Sequence, residues 1–310
     1  MIEFHRAFKH IQYTDKTHTY YDTKNKKPLM SVTKFLKSIS PEFNSTFWSV
    51  LKAFEFSGWK PQYKGNTKEF WASKDNESLL VNPYTVNDKM HFLAWENGDG
   101  KEFSIAEIAK LNPTPEQVRE EWRIQGLMGT ERGTYIHNYL ENLEKRITDS
   151  PPAPNFDFLP THRQVKFYQS VLKGKELAER YVKETEFLVP VLMEYVIGDS
   201  ELGLAGRFDR LYYNENSGEL EIWDFKTDKK IAYSNKYEKF KCFDLDVCEF
   251  NKYSLQTSLY KYIIERNTGL SLGDSYIVHF DVNNDGYDII KTTNLIHKFD
   301  HDNWTTYIKP

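Results

Sequence analysis

Cysteine is nearly absent: the 310-residue chain has two, Cys242 and Cys248. Two thiols cannot ligate an iron–sulfur cluster and form no zinc-ligand pattern, so both read as reduced thiols of a cytosolic protein. Long apolar runs are missing too. No stretch of about 18 apolar residues occurs, and the opening MIEFHRAFKH has no hydrophobic signal region. Secretion and membrane spanning are therefore not expected, and the cytoplasm is the default location (a host's cytoplasm, if a phage encodes the chain). Internal repeats and low-complexity tracts are lacking. Basic charge is not in excess, with 41 Lys and Arg against 45 Asp and Glu, a net charge of −4. No global positive field points to nucleic acid, although a site built from carboxylates adds negative charge of its own.

Aromatic residues, in contrast, are abundant: 20 Tyr, 21 Phe and 7 Trp make 15% of the chain. Most belong in a core, and the surplus offers rings for stacking on unpaired bases. Basic charge is concentrated locally. Residues 1–40 hold eight Lys and Arg against Glu3, Asp15 and Asp22. Residues 226–241 hold Lys226, Lys229, Lys230, Lys236, Lys239 and Lys241 against Asp228 and Glu238. Such runs are solvated faces unless a fold gives them a partner.

Residues 18–30 alternate around a polar turn and predict a β-hairpin. Ser31 then caps a short helix, VTKFLKSI. The segment 44–72, with Trp48, Phe54, Trp59 and Trp71, is expected to be helical in part, and 73–100 to leave the core as an excursion. Thr114-Pro115-Glu116-Gln117 opens a helix. A second helix is expected over 131–147, and a long one over 161–184 after the proline-rich loop 150–154. The period then changes to two. Residues 187–197, 205–213 and 219–227 read as strands joined by turn residues, 252–265 as a helix and 275–282 as a further strand. The order is helix, three antiparallel strands, helix, strand: an α/β class with a mixed sheet flanked by helices. Asp281 to Gly286 imitates the start of a calcium loop, but the twelfth position is Thr292, so Asn284-Asp285-Gly286 reads as a hairpin turn.

Asp209 and Asp224 fall on neighbouring strands joined by a tight turn. Asp224 is flanked by Trp223 and Phe225, so it points away from both, and Lys226 shares its face. Asp-x-Lys alone is common by chance. With Asp209 beside it, the set is poor design for an apolar layer, because buried charges are costly unless paired or bound to a metal.

Gly206-Arg207-Phe208-Asp209, Trp223-Asp224-Phe225-Lys226-Thr227 and Gln256-Thr257-Ser258-Leu259-Tyr260 resemble the G-x-x-D, D-x-K-T and Q-x-x-x-Y motifs of RecB-like PD-(D/E)XK nucleases. Arg132-Gly133-Thr134-Tyr135-Ile136-His137 resembles the helix carrying that group's metal-binding histidine. Thr185-Glu186-Phe187 resembles the acidic opening of its first core strand. Ser31-Val32-Thr33 after a hairpin is similar to phage-encoded and mitochondrial-genome-maintenance-type exonucleases. The four-cysteine iron–sulfur branch is excluded by cysteine count, and 44–128 has no counterpart in the resemblance.

The resemblance implies a PD-(D/E)XK core over 131–310; the residues of 1–130 themselves suggest a hairpin plus a largely helical, aromatic-rich extension, which beside such a core would wall the nucleic acid. The resemblance also implies a metal-dependent deoxyribonuclease, using Mg²⁺ or Mn²⁺ with two ions in the active complex, acting on DNA ends or single strands in replication, recombination or repair, with proteins of those processes as partners. Asp209, Asp224, the Phe225 carbonyl, His137 and Glu186 would be metal ligands, and Lys226 would hold the attacking water, its pKa depressed by nearby cations. Gln256 and Tyr260 would contact the backbone or water near the metals. His137 also reads as a polar helix-face residue, and Tyr260 as a packing residue. A structure-specific endonuclease, a catalytically silent nucleic-acid-binding protein and a hydrolase of small phosphate esters remain alternatives.

Overall fold

The computed structural model describes residues 2–43, 45–58, 60–62, 84–86, 89–96, 99–103, 105–235, 238–299 and 304–308. After α1 (Ile2–Phe8), strands β1 (Ile11–Thr14), β2 (Thr19–Asp22) and β3 (Lys27–Ser31) form an antiparallel meander. Helix α2 (Val32–Ile39) follows at once. The Ser31 hydroxyl accepts the Lys34 N–H at 3.0 Å, the cap expected from sequence. Val32, Phe35, Leu36 and Ile39 recur on one face and are buried.

Residues 1–41 and 129–310 make one compact unit, and 42–128 a second. The opening hairpin, grouped by the sequence pattern with the extension up to 130, is instead hydrogen-bonded into the main sheet. Met30 and Ser31 of β3 pair in parallel with Leu204 and Ala205 of β9 (Leu204–Asn214). Among the described residues the sheet runs β1-β2-β3-β9-β10-β11-β12, with β8 (Leu188–Asp199) on β9. Here β10 is Glu219–Lys226, β11 Ser275–Asp281 and β12 Gly286–Lys291. Strands β8, β9 and β10 pair antiparallel, and β11 joins β10 in parallel. A parallel neighbour requires a long crossover, and the loop after β10 with α7 (Glu249–Thr268) supplies it. Strands β11 and β12 close at Asp281↔Gly286, a hairpin, as Asn284-Asp285-Gly286 predicted.

In the second unit, α3 (Ser45–Phe56) buries Val50, Leu51, Ala53 and Phe54 with Ile108, Leu111 and Val118. Among its described residues the extension is helical in part. It also holds a four-stranded sheet of β4 (Lys60–Gln62), β5 (Tyr84–Val86), β6 (Lys89–Glu96) and β7 (Asp99–Phe103), followed by the short α4 (Ile105–Ile108). Phe54 is core, whereas Trp48 is 38% exposed; Trp59 and Trp71 lie outside the described residues.

The two helices expected over 114–147 are one, α5 (Pro115–Glu144). Its start is a capping box: Gln117 N–H donates to the Thr114 hydroxyl at 3.2 Å and Thr114 N–H to Gln117 Oε1 at 2.8 Å. Nothing between 118 and 130 breaks a helix except Gly126 and Gly129, which cost only about 1 kcal/mol each.

Within the first unit, Ile136, Tyr139 and Leu140 of α5 and Leu177, Ala178 and Tyr181 of α6 (Thr161–Glu184) cover Tyr212, Trp223, Phe225, Val278 and Phe280 on one sheet face. Gly174 permits this packing, since a Cβ there would lie 2.2 Å from Ile136 Cδ1. The other face packs Ile222, Leu211 and Ile197 against α1, α2 and α7.

Candidate active site

The ladder between β9 and β10 ends at Arg210↔Trp223. One step further, antiparallel register sets Asp209 opposite Asp224. Instead of a ladder bond, Asp209 Oδ2 accepts the Phe225 backbone N–H at 2.7 Å. The like charges thus stand at the point where the strands part. On β10, Trp223 and Phe225 enter the apolar layer under α5 and α6, while Asp224 faces α7. The period-two alternation places Lys226 on the Asp224 side, and its ammonium pairs directly with Asp224 Oδ2. Gln256 of α7 donates to Asp224 Oδ1 at 3.2 Å and lies 3.3 Å from the Tyr260 hydroxyl. Gly206 has to be glycine here, because a Cβ would sit 2.4 Å from the Tyr260 ring.

From α5, His137 brings Nε2 to 3.1 Å from the Phe225 carbonyl and Nδ1 to 3.6 Å from Asp209 Oδ2. His137, Asp209, Asp224, Lys226, Gln256 and Tyr260 all line one cavity of about 320 Å³. Burial pushes the Asp224 carboxyl up to about 6, with Lys226 pulling it down and Asp209 adding to the rise. Burial also opposes charge on Lys226 and His137. For Lys226, Asp224 and Asp209 outweigh it; for His137, Asp209 and Glu194 do, so both cations are held above their ordinary range. The depressed lysine expected from sequence is therefore not what the protein groups alone produce, because two carboxylates face it.

A model of the PD-(D/E)XK nuclease superfamily matches residues 103–308. The chain belongs to that superfamily. It is similar to an ATP-dependent helicase/nuclease subunit of Clostridium botulinum, strain Loch Maree / Type A3, with 27% identity over 237 residues. The same helicase/nuclease subunit in strain Okra / Type B1 is 27% identical over 271 residues. These stretches are 68% and 78% of this chain, but the chain spans only 17% and 19% of those relatives' length.

The superfamily core in this chain contains an acidic residue that the sequence pattern did not single out. Among the described residues, His137, Glu194 and Asp209 bring one ligand atom each within 4.8 Å of one another. Glu194 lies on β8 between Met193↔Arg210 and Tyr195↔Phe208, hence opposite Asp209. Its φ of +47 is a left-handed conformation costing about 1–3 kcal/mol in a side-chain-bearing residue. Hairpin arithmetic could have found it. Asp199 pairs with Leu204, Asp209 lies five residues past Leu204, and five residues before Asp199 is Glu194. Glu186 is not brought in. It is exposed in the turn between α6 and β8, near the Leu188↔Asn214 end of the hairpin, while Asp209 sits mid-strand.

The set suits a hard divalent cation: one imidazole nitrogen, carboxylate oxygens and the Phe225 carbonyl. Ligands about 2.1 Å from a shared octahedral ion stand roughly 3.0 Å apart when adjacent and roughly 4.2 Å when opposite, and His137 Nδ1 is 3.6 Å from Asp209 Oδ2 and 3.9 Å from Glu194 Oε1. The residues present therefore fit the metal that this fold implies.

Behind these side chains lies a second, buried layer. Arg210 is wholly buried and donates from Nε to Glu144 Oε2 at 2.5 Å and from Nη1 to the Asp209 carbonyl at 2.7 Å. Its Nη1 also stands 3.6 Å from Glu194 Oε1, and Arg207 Nε 3.2 Å from Glu194 Oε2. Glu144 lies seven residues, two helical turns, beyond His137 on α5. Arg210, itself on β9, thus ties that helix to β8. Arg132 adds a tie one strand over, donating to the Thr227 carbonyl at 2.9 Å.

Proposed function

We propose that the chain is a metal-dependent deoxyribonuclease that hydrolyses phosphodiester bonds at DNA ends or in single strands, with Mg²⁺ or Mn²⁺ as its ion. One observation carries the reading: a histidine from α5, acidic groups from three adjoining strands and a lysine share one cavity. His137, Glu194, Asp209, Asp224 and the Phe225 carbonyl would hold the ion. A bound divalent cation supplies positive charge for the phosphorane-like transition state and acidifies an attacking water. Lys226 directs its ammonium at the phosphate oxygens and orients the water. Its neighbours fix its aim: Asp224 on one side and, on the other, the Tyr253 ring 4.9 Å from Nζ. Gln256 holds the Asp224 carboxylate in one orientation, and Tyr260 keeps water from the apolar side of the cavity.

The exposed Lys229 and Lys230 follow the metal-bearing strand and suit a phosphate track. In that same run Lys239 is engaged by Asp244 and Lys241 by the Ser38 carbonyl, and Lys236 lies outside the described residues. The aromatic extension at 44–128 would offer rings to unpaired bases.

The test is incubation with end-labelled linear single strands, linear duplex and closed circles, in Mn²⁺, Mg²⁺ or chelator. Metal-dependent loss of linear DNA with circles intact is expected. Cutting of circles would reassign the core as an endonuclease. Activity that survives chelator or Asp224→Ala would overturn the metal mechanism.

A further inference from the structure

The reaction centre leaves unused much of the basic charge of residues 1–40. Arg6, Lys9 and Lys24 line a second cavity of about 870 Å³, together with His10. All three are exposed, and among the described residues none has an acidic partner. The carboxylates of the same cavity are already engaged. Asp199 accepts the Glu201 and Leu202 N–H groups at 2.9 Å each, and Arg266 Nε and Asn267 Nδ2 at 3.0 Å each. Glu201 pairs with Arg266. Beneath the Lys24 turn, the fully buried Asp22 accepts the Lys24 and Asn25 N–H groups at 2.8 and 3.0 Å. The acceptors are satisfied, and the free donors are cationic.

Three elements run from the reaction centre to this cavity, which fixes the spacing. On β8, Glu194 lines the first and Asp199 the second; five strand residues span roughly 16 Å. On α7, Gln256 and Arg266 do the same; ten helical residues span about 15 Å. On the opening hairpin the pair is Tyr20 and Lys24, at most about 14 Å apart. A strand whose scissile phosphate sits in the reaction centre would therefore meet these cations about 15 Å farther along. The cations ring an open cavity without a buried polar donor aimed inward, which suits a linear polyanion better than a small ligand.

We infer that the Arg6–Lys9–Lys24 cavity binds phosphates of the nucleic acid strand whose end occupies the reaction centre, about 15 Å from the scissile bond. This rests on the nuclease reading above. The test uses the full chain in chelator, so that no cleavage occurs, with fluorescein-labelled thirty-nucleotide single-stranded DNA titrated across a salt series. Three lost phosphate contacts at about 0.7 each should shallow the slope of log K against log salt by about 2 in Arg6→Ala/Lys9→Ala/Lys24→Ala. A dinucleotide, whose single phosphate cannot reach both cavities, should compete equally well against both proteins. An unchanged slope, or a dinucleotide weakened as much as the long strand, would overturn the inference. Failure of the metal-loaded wild-type protein to cleave any DNA would instead count against the nuclease reading, since the binding readouts need no cleavage.

Discussion

Replacing Arg210 by methionine tests the buried layer behind the site. Arg210 is 0% exposed and the Glu144 side chain 6%, with 2.5 Å between them. Removing the guanidinium leaves Glu144 a buried anion whose remaining partner is the Tyr212 hydroxyl, and leaves the Asp209 carbonyl without its donor. Breaking one side of such a pair costs about 3–5 kcal/mol. For a domain of this size, roughly 2–4 °C per kcal/mol makes that a fall of roughly 6–20 °C in Tm. The pair itself contributes far less, because desolvating two ions nearly cancels their attraction. Arg210→Met/Glu144→Gln should therefore recover most of the loss, and a double-mutant cycle in urea should return a coupling of at least about 2 kcal/mol. A single variant costing under about 1 kcal/mol, or a double variant no better than the single, would refute the buried-charge reasoning.

Glu194→Gln should weaken Mn²⁺ binding at least about tenfold by titration calorimetry, since residues that merely orient a ligand already cost about 10–100-fold. Glu186→Gln, in an exposed turn, should leave that affinity within about twofold. Gly206→Ala should lower the urea midpoint by an amount worth about 1–3 kcal/mol, because the added methyl meets the Tyr260 ring. In chelator, pH should act in two opposite windows. The Asp224 carboxyl is raised from 3.8 to about 6, so its neutral form favours folding below 3.8, and that stability is lost as pH rises to about 6. His137, raised from 6.5, adds a loss in the same direction above that value. Asp22 acts oppositely: burial opposes its charge, but hydrogen bonds from Ser200, Asn25 and Lys24 hold it at about 2, so its contribution is lost as pH falls from 3.8 to about 2. Thermal scans in chelator should thus show stability declining from pH 4 to 7, and Mn²⁺ should raise Tm more at pH 7 than at pH 5. A metal-free Tm rising across that range would contradict the assignment.

The local patterns were enough for much of this. Alternation around Trp223 and Phe225 decides which way Asp224 and Lys226 point, because a strand has only two faces. A four-residue spacing brings Gln256 and Tyr260 together for the same reason on a helix. Ser31 and Thr114 mark helix starts, because hydroxyls satisfy free N–H groups there. Pairing between distant segments was decided by tertiary structure alone. The opening hairpin joins the main sheet through two residue pairs of β3 with β9, an arrangement without local trace. That Glu194 and not Glu186 lies beside Asp209 depends on register: a carboxylate in an apolar-looking strand is placed there by a hairpin counted from its turn and by a left-handed φ. The Arg210–Glu144 tie joins residues 66 apart. Residue type and spacing specify short-range geometry, where the chain's own stereochemistry dominates. Which distant charges meet depends on how apolar faces pack, and that is a property of the whole fold.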